Sequence, residues 1–87
     1  MGQKPHLSLY FFYSCPFCQR VLNIINQLAI EVDLKDIHQD RMAFDKLVKD
    51  TGRKTVPCLY IDDKPMHESD DIISWLTQNQ NNLPKKS

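Results

Sequence analysis

LSLYFFYSCPFCQRVLNII, residues 7–25, changes its period on either side of a Ser-Cys-Pro cluster, and that change decides the fold. Leu7 to Tyr13 is rich in aromatic residues and leucine and reads as a buried central strand. Pro16 suits the first turn of a helix, where its missing N–H costs nothing. From Cys18 to Ala29, Val21, Ile24, Ile25 and Leu28 recur at helical spacing with Arg20, Asn23 and Gln27 between them, which predicts an amphipathic helix laid on a sheet.

Working outward, Ile30, Val32 and Leu34 alternate with Glu31, Asp33 and Lys35, the period of a second strand with one solvated face. Asp40 can cap a second helix whose stripe is Phe44, Leu47 and Val48, and Gly52 can end it in a left-handed conformation. Val56 to Ile61 reads as a strand opened by proline. Asp62-Asp63-Lys64 turns into a short strand near Pro65 to His67, and Glu68 or Ser69 begins a last helix carrying Ile72, Ile73 and Leu76. The tail, residues 79–87, is polar and is expected to fray. The order is βαβ followed by αββα. The first two strands should run parallel through a right-handed crossover, and the tight turn at Asp62-Asp63 should make an antiparallel hairpin.

Eighty-seven residues hold one modest core, so we expect a single domain over 1–87 whose ligands bind in a shallow groove. Eleven basic and eleven acidic side chains give no net charge to draw the chain to nucleic acid or a membrane surface. The run from Leu7 to Tyr13 is too short to span a bilayer and does not suit a signal peptide. Met1-Gly2 opens a myristoylation signal, but His6 stands where Ser or Thr belongs. The expected compartment is the cytoplasm. Three cysteines, two of them in one C-x-x-C, point to redox or metal chemistry rather than to a secreted disulfide scaffold.

Cys15 at the start of a helix meets unsatisfied N–H groups and the positive end of the helix dipole, which should bring its pKa below about 8.5. Cys18 lies about one turn further, within reach for a reversible disulfide. Pro16 and Phe17 place no acid inside the motif, and Arg20 adds favourable potential. A C-x-x-C can also be half of a zinc site, with His6, His38 and His67 as nominal partners, but no second closely spaced ligand pair follows. Two inert core cysteines are the other alternative. Redox chemistry fits best, because the motif falls at a strand-to-helix junction, and we expect no metal.

Cys15-Pro16-Phe17-Cys18 resembles the dithiol active site of glutaredoxins, and Gly52 to Pro57 is similar to the loop before their third strand. Glu68 to Ile72 falls where that family begins the helix that holds glutathione. The resemblance implies a thioredoxin-like α/β fold, a four-stranded mixed sheet flanked by helices. It implies an enzyme that reduces protein-glutathione mixed disulfides and some protein disulfides, with Cys15 and Cys18 catalytic and glutathione a co-substrate rather than a tightly bound cofactor. Thr55, Val56, Pro57, Ser69, Asp70 and Asp71 are the implied glutathione residues, with a cis bond before Pro57, helix amides for the glutamyl carboxylate, and Asp70 or Asp71 for its ammonium. Partners are then glutathione and glutathionylated or disulfide-containing proteins, acted on by a monomer.

The sequence also departs from that pattern. Phe12 replaces a lysine common three residues before the first cysteine, leaving Arg53, Lys54 and Arg41 as substitute cations. His67-Glu68 replaces the usual Gly-Gly, and Glu68-Ser69 resembles the N-terminal domain of glutathione transferases. The thioredoxin-type Trp-Cys-Gly-Pro-Cys is absent. A glutathione-liganded iron–sulfur carrier and a transferase-like binding module are the alternatives; Cys18 and Pro16 disfavour the first, and a nucleophilic thiol would be needless in the second. Cys58 reads as a buried hydrophobe and Trp75 as packing.

Overall fold

Leu7, Leu9 and Phe11 project from one face of the first strand, while Tyr10 projects from the other, and all four are buried. A strand covered on both faces must lie inside its sheet. The computed structural model describes residues 4–85; the Met1-Gly2 pair and the last two residues of the tail lie outside that range. Its elements are β1 (Leu7–Phe11), α1 (Pro16–Gln27), β2 (Asp33–Asp36), α2 (Arg41–Thr51), β3 (Cys58–Ile61), β4 (Lys64–His67) and α3 (Ser69–Asn79), followed by a 3₁₀ turn at Gln80–Asn82. The sheet order is β2-β1-β3-β4. β1 pairs parallel with β2 and antiparallel with β3, and β3 and β4 form the expected hairpin. This is the thioredoxin-like arrangement that the motifs implied.

The two faces of the sheet carry different clusters. Leu7, Leu9, Phe11 and Leu59 pack with Cys18, Val21 and Ile25 of α1 and with Ile72 and Leu76 of α3. Tyr10, Cys58 and Tyr60 pack with Ala43 and Leu47 of α2. Tyr60 donates its hydroxyl to Asp50 at 2.9 Å, so the polar tip of a buried ring finds a partner at the end of α2. The C-x-x-C motif therefore shares its face with α3, and α2 stands on the opposite side.

Two expectations about the chain's course are corrected. The second strand is Asp33–Asp36 rather than the alternating stretch from Ile30. Ala29 adopts φ 55° and the Ile30 N–H bonds back to the Ile25 carbonyl, so the helix exit turns Ile30 into the core before the strand begins. Leu34 is 48% exposed because β2 is an outer strand with one neighbour. The tail does not fray at residue 79. Leu83 is buried, Glu31 N–H bonds the Pro84 carbonyl at 2.8 Å, and Lys85 bridges Ile30. Burying one leucine is worth about 1.5–3 kcal/mol, enough to dock a short polar segment that composition alone would leave loose.

The second helix begins and ends as expected. The Asp40 carboxylate accepts from the Ala43 N–H at 3.2 Å, and Gly52 closes the helix at φ 71° with its N–H on the Val48 carbonyl. A Cβ at Gly52 would meet nothing within 4 Å, so Gly52→Ala isolates the cost of the left-handed backbone. Thermal or urea unfolding of that variant should show a loss of about 1 kcal/mol.

Candidate active site

Cys15 is the N-cap of α1, with extended backbone (φ −84°, ψ 117°), and Pro16 opens the helix. The Phe12 carbonyl accepts from the Cys15 N–H at 3.2 Å, and the Gln19 side chain donates to the Tyr13 carbonyl at 2.7 Å. These bonds tie the strand-to-helix turn at both ends. No side chain caps the first turn of α1, so its N–H groups at the Cys15 end have no side-chain partner.

Both thiols are free, and Cys15 is more covered than expected, with 7% of its surface accessible against 0% for Cys18. The two cysteines stand about one helical turn apart at the start of α1. Burial first, and the neighbouring Cys15 after it, push the Cys18 thiol up to about 12, against the opposing pull of the Phe12 backbone. Cys58 is also fully buried, and burial pushes it up to about 11. Only Cys15 retains surface through which an outside sulfur can approach, flanked by the exposed rings of Tyr13 and Phe17.

Beside the motif, Phe17, Thr55, Val56, Pro57, Glu68, Ser69 and Asp70 line an open groove of about 370 Å³. It unites the C-x-x-C helix, the loop before β3 and the start of α3. Five of the six residues expected to hold glutathione line it, while Asp71 does not. The Val56-Pro57 bond is cis, as expected. Glu68, not Ser69, is the N-cap of α3, at φ 75° and ψ 112°, and its side chain makes no capping bond. A positive φ is easier for glycine than for a residue with a Cβ, which fits the Gly-Gly usual at this point.

The sequence reading missed Phe17 and Glu68 as groove residues and gave Arg20 a different task. Arg20 donates to Asp70 Oδ1 at 2.8 Å, from one turn beyond Cys15 across to α3. An arginine at a helical spacing from a cysteine gives no sign of a partner fifty positions away. None of the three substitute cations lines the groove: Arg53 lies 3.4 Å from His67 Nδ1, Arg41 pairs with Asp45, and Lys54 makes no ion pair among the described residues. Phe12 stacks on His38, ring centroids 4.3 Å apart. His67 is held below its usual range by burial first and by Arg53 second, so it adds no cation. Among the described residues no cluster of three metal-ligating side chains forms, and no helix is long and apolar enough to cross a membrane.

A family model for the glutathione S-transferase N-terminal domain matches residues 9–84, which takes in the C-x-x-C, the cis-proline loop and α3 together. The chain belongs to that family. A probable glutaredoxin of Synechocystis is 27% identical over 75 residues, covering 85% of each chain. The chloroplastic glutaredoxin-C4 of Oryza sativa subsp. japonica is 36% identical over 77 residues, 74% of this chain and 57% of that one. The chain thus spans most of the cyanobacterial relative and a little over half of the rice one. Wheat glutaredoxin superposes with a TM-score of 0.72 at 22% identity, over 92% of this chain and 83% of its own. Within the family the chain is similar to glutaredoxins in sequence and in fold, the resemblance that its motifs carried.

Proposed function

We propose that this chain is a glutathione-dependent thiol-disulfide oxidoreductase that reduces protein-glutathione mixed disulfides and some protein disulfides. The observation that carries this reading is the pair of free thiols, one helical turn apart at a helix start, beside a groove that ends on the first turn of α3. Cys15 attacks as its thiolate, the form that disulfide exchange requires. That thiolate attacks the glutathione sulfur of a mixed disulfide, the client thiolate leaves, and glutathione is left bonded to Cys15. A second glutathione thiolate then attacks the bound glutathione sulfur, releasing Cys15 thiolate and one molecule of glutathione disulfide. On an intramolecular protein disulfide, Cys18 instead attacks the Cys15 mixed disulfide, expelling the client thiolate, and two glutathione molecules later reduce the Cys15–Cys18 bond.

Glutathione enters as a co-substrate, and the protein acts as a cytoplasmic monomer on glutathionylated or disulfide-containing proteins without a tightly held cofactor. Its glutamyl carboxylate meets the N–H groups at the start of α3, where anions are favoured, and its ammonium meets Asp70. A glutathione-coupled assay on a small mixed disulfide tests the reading. Saturable dependence on glutathione is the expected result; a rate linear in glutathione and independent of the enzyme would overturn it. Because Asp70 lines the groove and Asp71 does not, Asp70→Ala should raise the glutathione KM about threefold to tenfold. Asp71→Ala should leave it within about twofold. Equal effects of the two substitutions would place the ammonium elsewhere.

A further inference from the structure

Three acidic side chains, Glu68, Asp70 and Asp71, crowd the start of α3, and two of them line the groove. Glutathione carries two carboxylates and one ammonium, so an unrelieved acidic rim there would repel part of the molecule that it must hold. One cation answers this rim directly. Arg20 extends from α1 and donates to Asp70 Oδ1 at 2.8 Å. No other hydrogen bond of either side chain appears among the described residues, which leaves Asp70 Oδ2 and the remaining guanidinium N–H groups without protein partners. Arg20 itself is not part of the groove lining.

We propose that Arg20 is a positioning residue for glutathione, acting through Asp70; this rests on the glutathione reading above. By holding Oδ1, it fixes the Asp70 carboxylate with Oδ2 open to the glutamyl ammonium. By setting a positive charge against Asp70, it lowers the repulsion that the glutamyl carboxylate meets at the helix start. The contact also ties α3 to the helix that bears both thiols, so the seat of glutathione and the attacking sulfur keep a fixed relation. Both partners are largely exposed, with side-chain accessibilities of 52% and 80%, so the pair adds little to folding. Its effect should appear in binding.

The test is a double-mutant cycle read in the glutathione-coupled assay, with Arg20→Gln, Arg20→Lys, Asp70→Asn and the Arg20→Gln/Asp70→Asn pair. Arg20→Gln should raise the glutathione KM about twofold to fivefold, the size of a surface ion-pair coupling, while kcat stays within about twofold. Arg20→Lys should recover most of the loss, and Arg20→Gln should add nothing once Asp70 is Asn. Unchanged KM in Arg20→Gln, effects that multiply in the double variant, or a fall in kcat with KM unmoved would each overturn the proposal. A wild-type protein that turns over mixed disulfides without saturable glutathione dependence would instead overturn the reading beneath it, and so separates the two failures. Thermal melts of all four variants should agree within a few degrees, as befits an exposed pair.

Discussion

Cys15→Ser should lose at least about a thousandfold in mixed-disulfide reduction, and no other thiol should replace it. The hydroxyl of serine can occupy the same N-cap, but it forms no bond to sulfur that a second thiol can exchange. The structure explains why the other cysteines do not step in. Cys18 and Cys58 have no accessible surface, and burial pushes their thiols up to about 12 and about 11, so each is almost wholly protonated near neutral pH. Exchange needs both a thiolate and a clear line to the target sulfur. Cys15 alone combines accessible surface with the amides of a helix start. Mass spectrometry of wild type quenched during turnover should show one glutathione on the Cys15 peptide, and the serine variant should show none. Activity above a tenth of wild type in Cys15→Ser would mean that a different residue attacks.

The parts of the fold that could be read in the sequence are those where one residue type answers one local demand. Pro16 after a strand, Asp40 before the apolar stripe of α2, and Gly52 at its end each satisfy or bypass the unpaired groups of a helix terminus, and each was found where expected. The antiparallel hairpin followed from a turn too short for a crossover. The misreadings arose where a distant segment decided the outcome. Ile30 fits a strand by alternation, but its N–H is taken locally by Ile25, while Ile30 and Glu31 are held by Lys85 and Pro84, more than fifty residues away. Leu83 looked like part of a polar tail because the core it fills is assembled from β1, α1 and α3.

The site divides in the same way. Cys15 and Cys18 could be placed from their own neighbours, since a strand feeding a helix fixes both the amides and the one-turn spacing. The groove needed three segments, and five of its seven lining residues were named only because their short motifs resembled those of a known family. Phe17 sat inside the quoted motif, and its exposed ring was the available signal that it serves the surface rather than the core. Asp71 was grouped with Asp70 by adjacency alone. Successive residues of a helix point about 100° apart, so two neighbouring carboxylates cannot face one ligand equally.

Cys18→Ser should separate the two reactions. The variant should keep deglutathionylation within about threefold of wild type, because a second glutathione can release the one held on Cys15 without help from Cys18. It should lose at least about a hundredfold in the reduction of intramolecular protein disulfides, where the client's own second thiol recaptures the mixed disulfide unless a thiol already in place attacks first. Cys18 is in place: it is one helical turn away from Cys15. Its high pKa is not a fixed handicap. Part of the push comes from the neighbouring Cys15 thiolate, whose charge is removed when Cys15 enters a mixed disulfide, leaving burial as the cause that persists. Cys18 therefore gains acidity at the step that needs its thiolate. Burial still raises its thiol, so its thiolate fraction grows with pH, and single-turnover release of a protein client from wild type should accelerate as pH rises from 6 to 8. The serine variant should show no such acceleration at fixed glutathione thiolate concentration. Loss of mixed-disulfide activity in Cys18→Ser, with an unfolding midpoint near that of wild type, would make Cys18 part of the attack itself. A pH-independent release in wild type would mean that Cys18 does not resolve the intermediate.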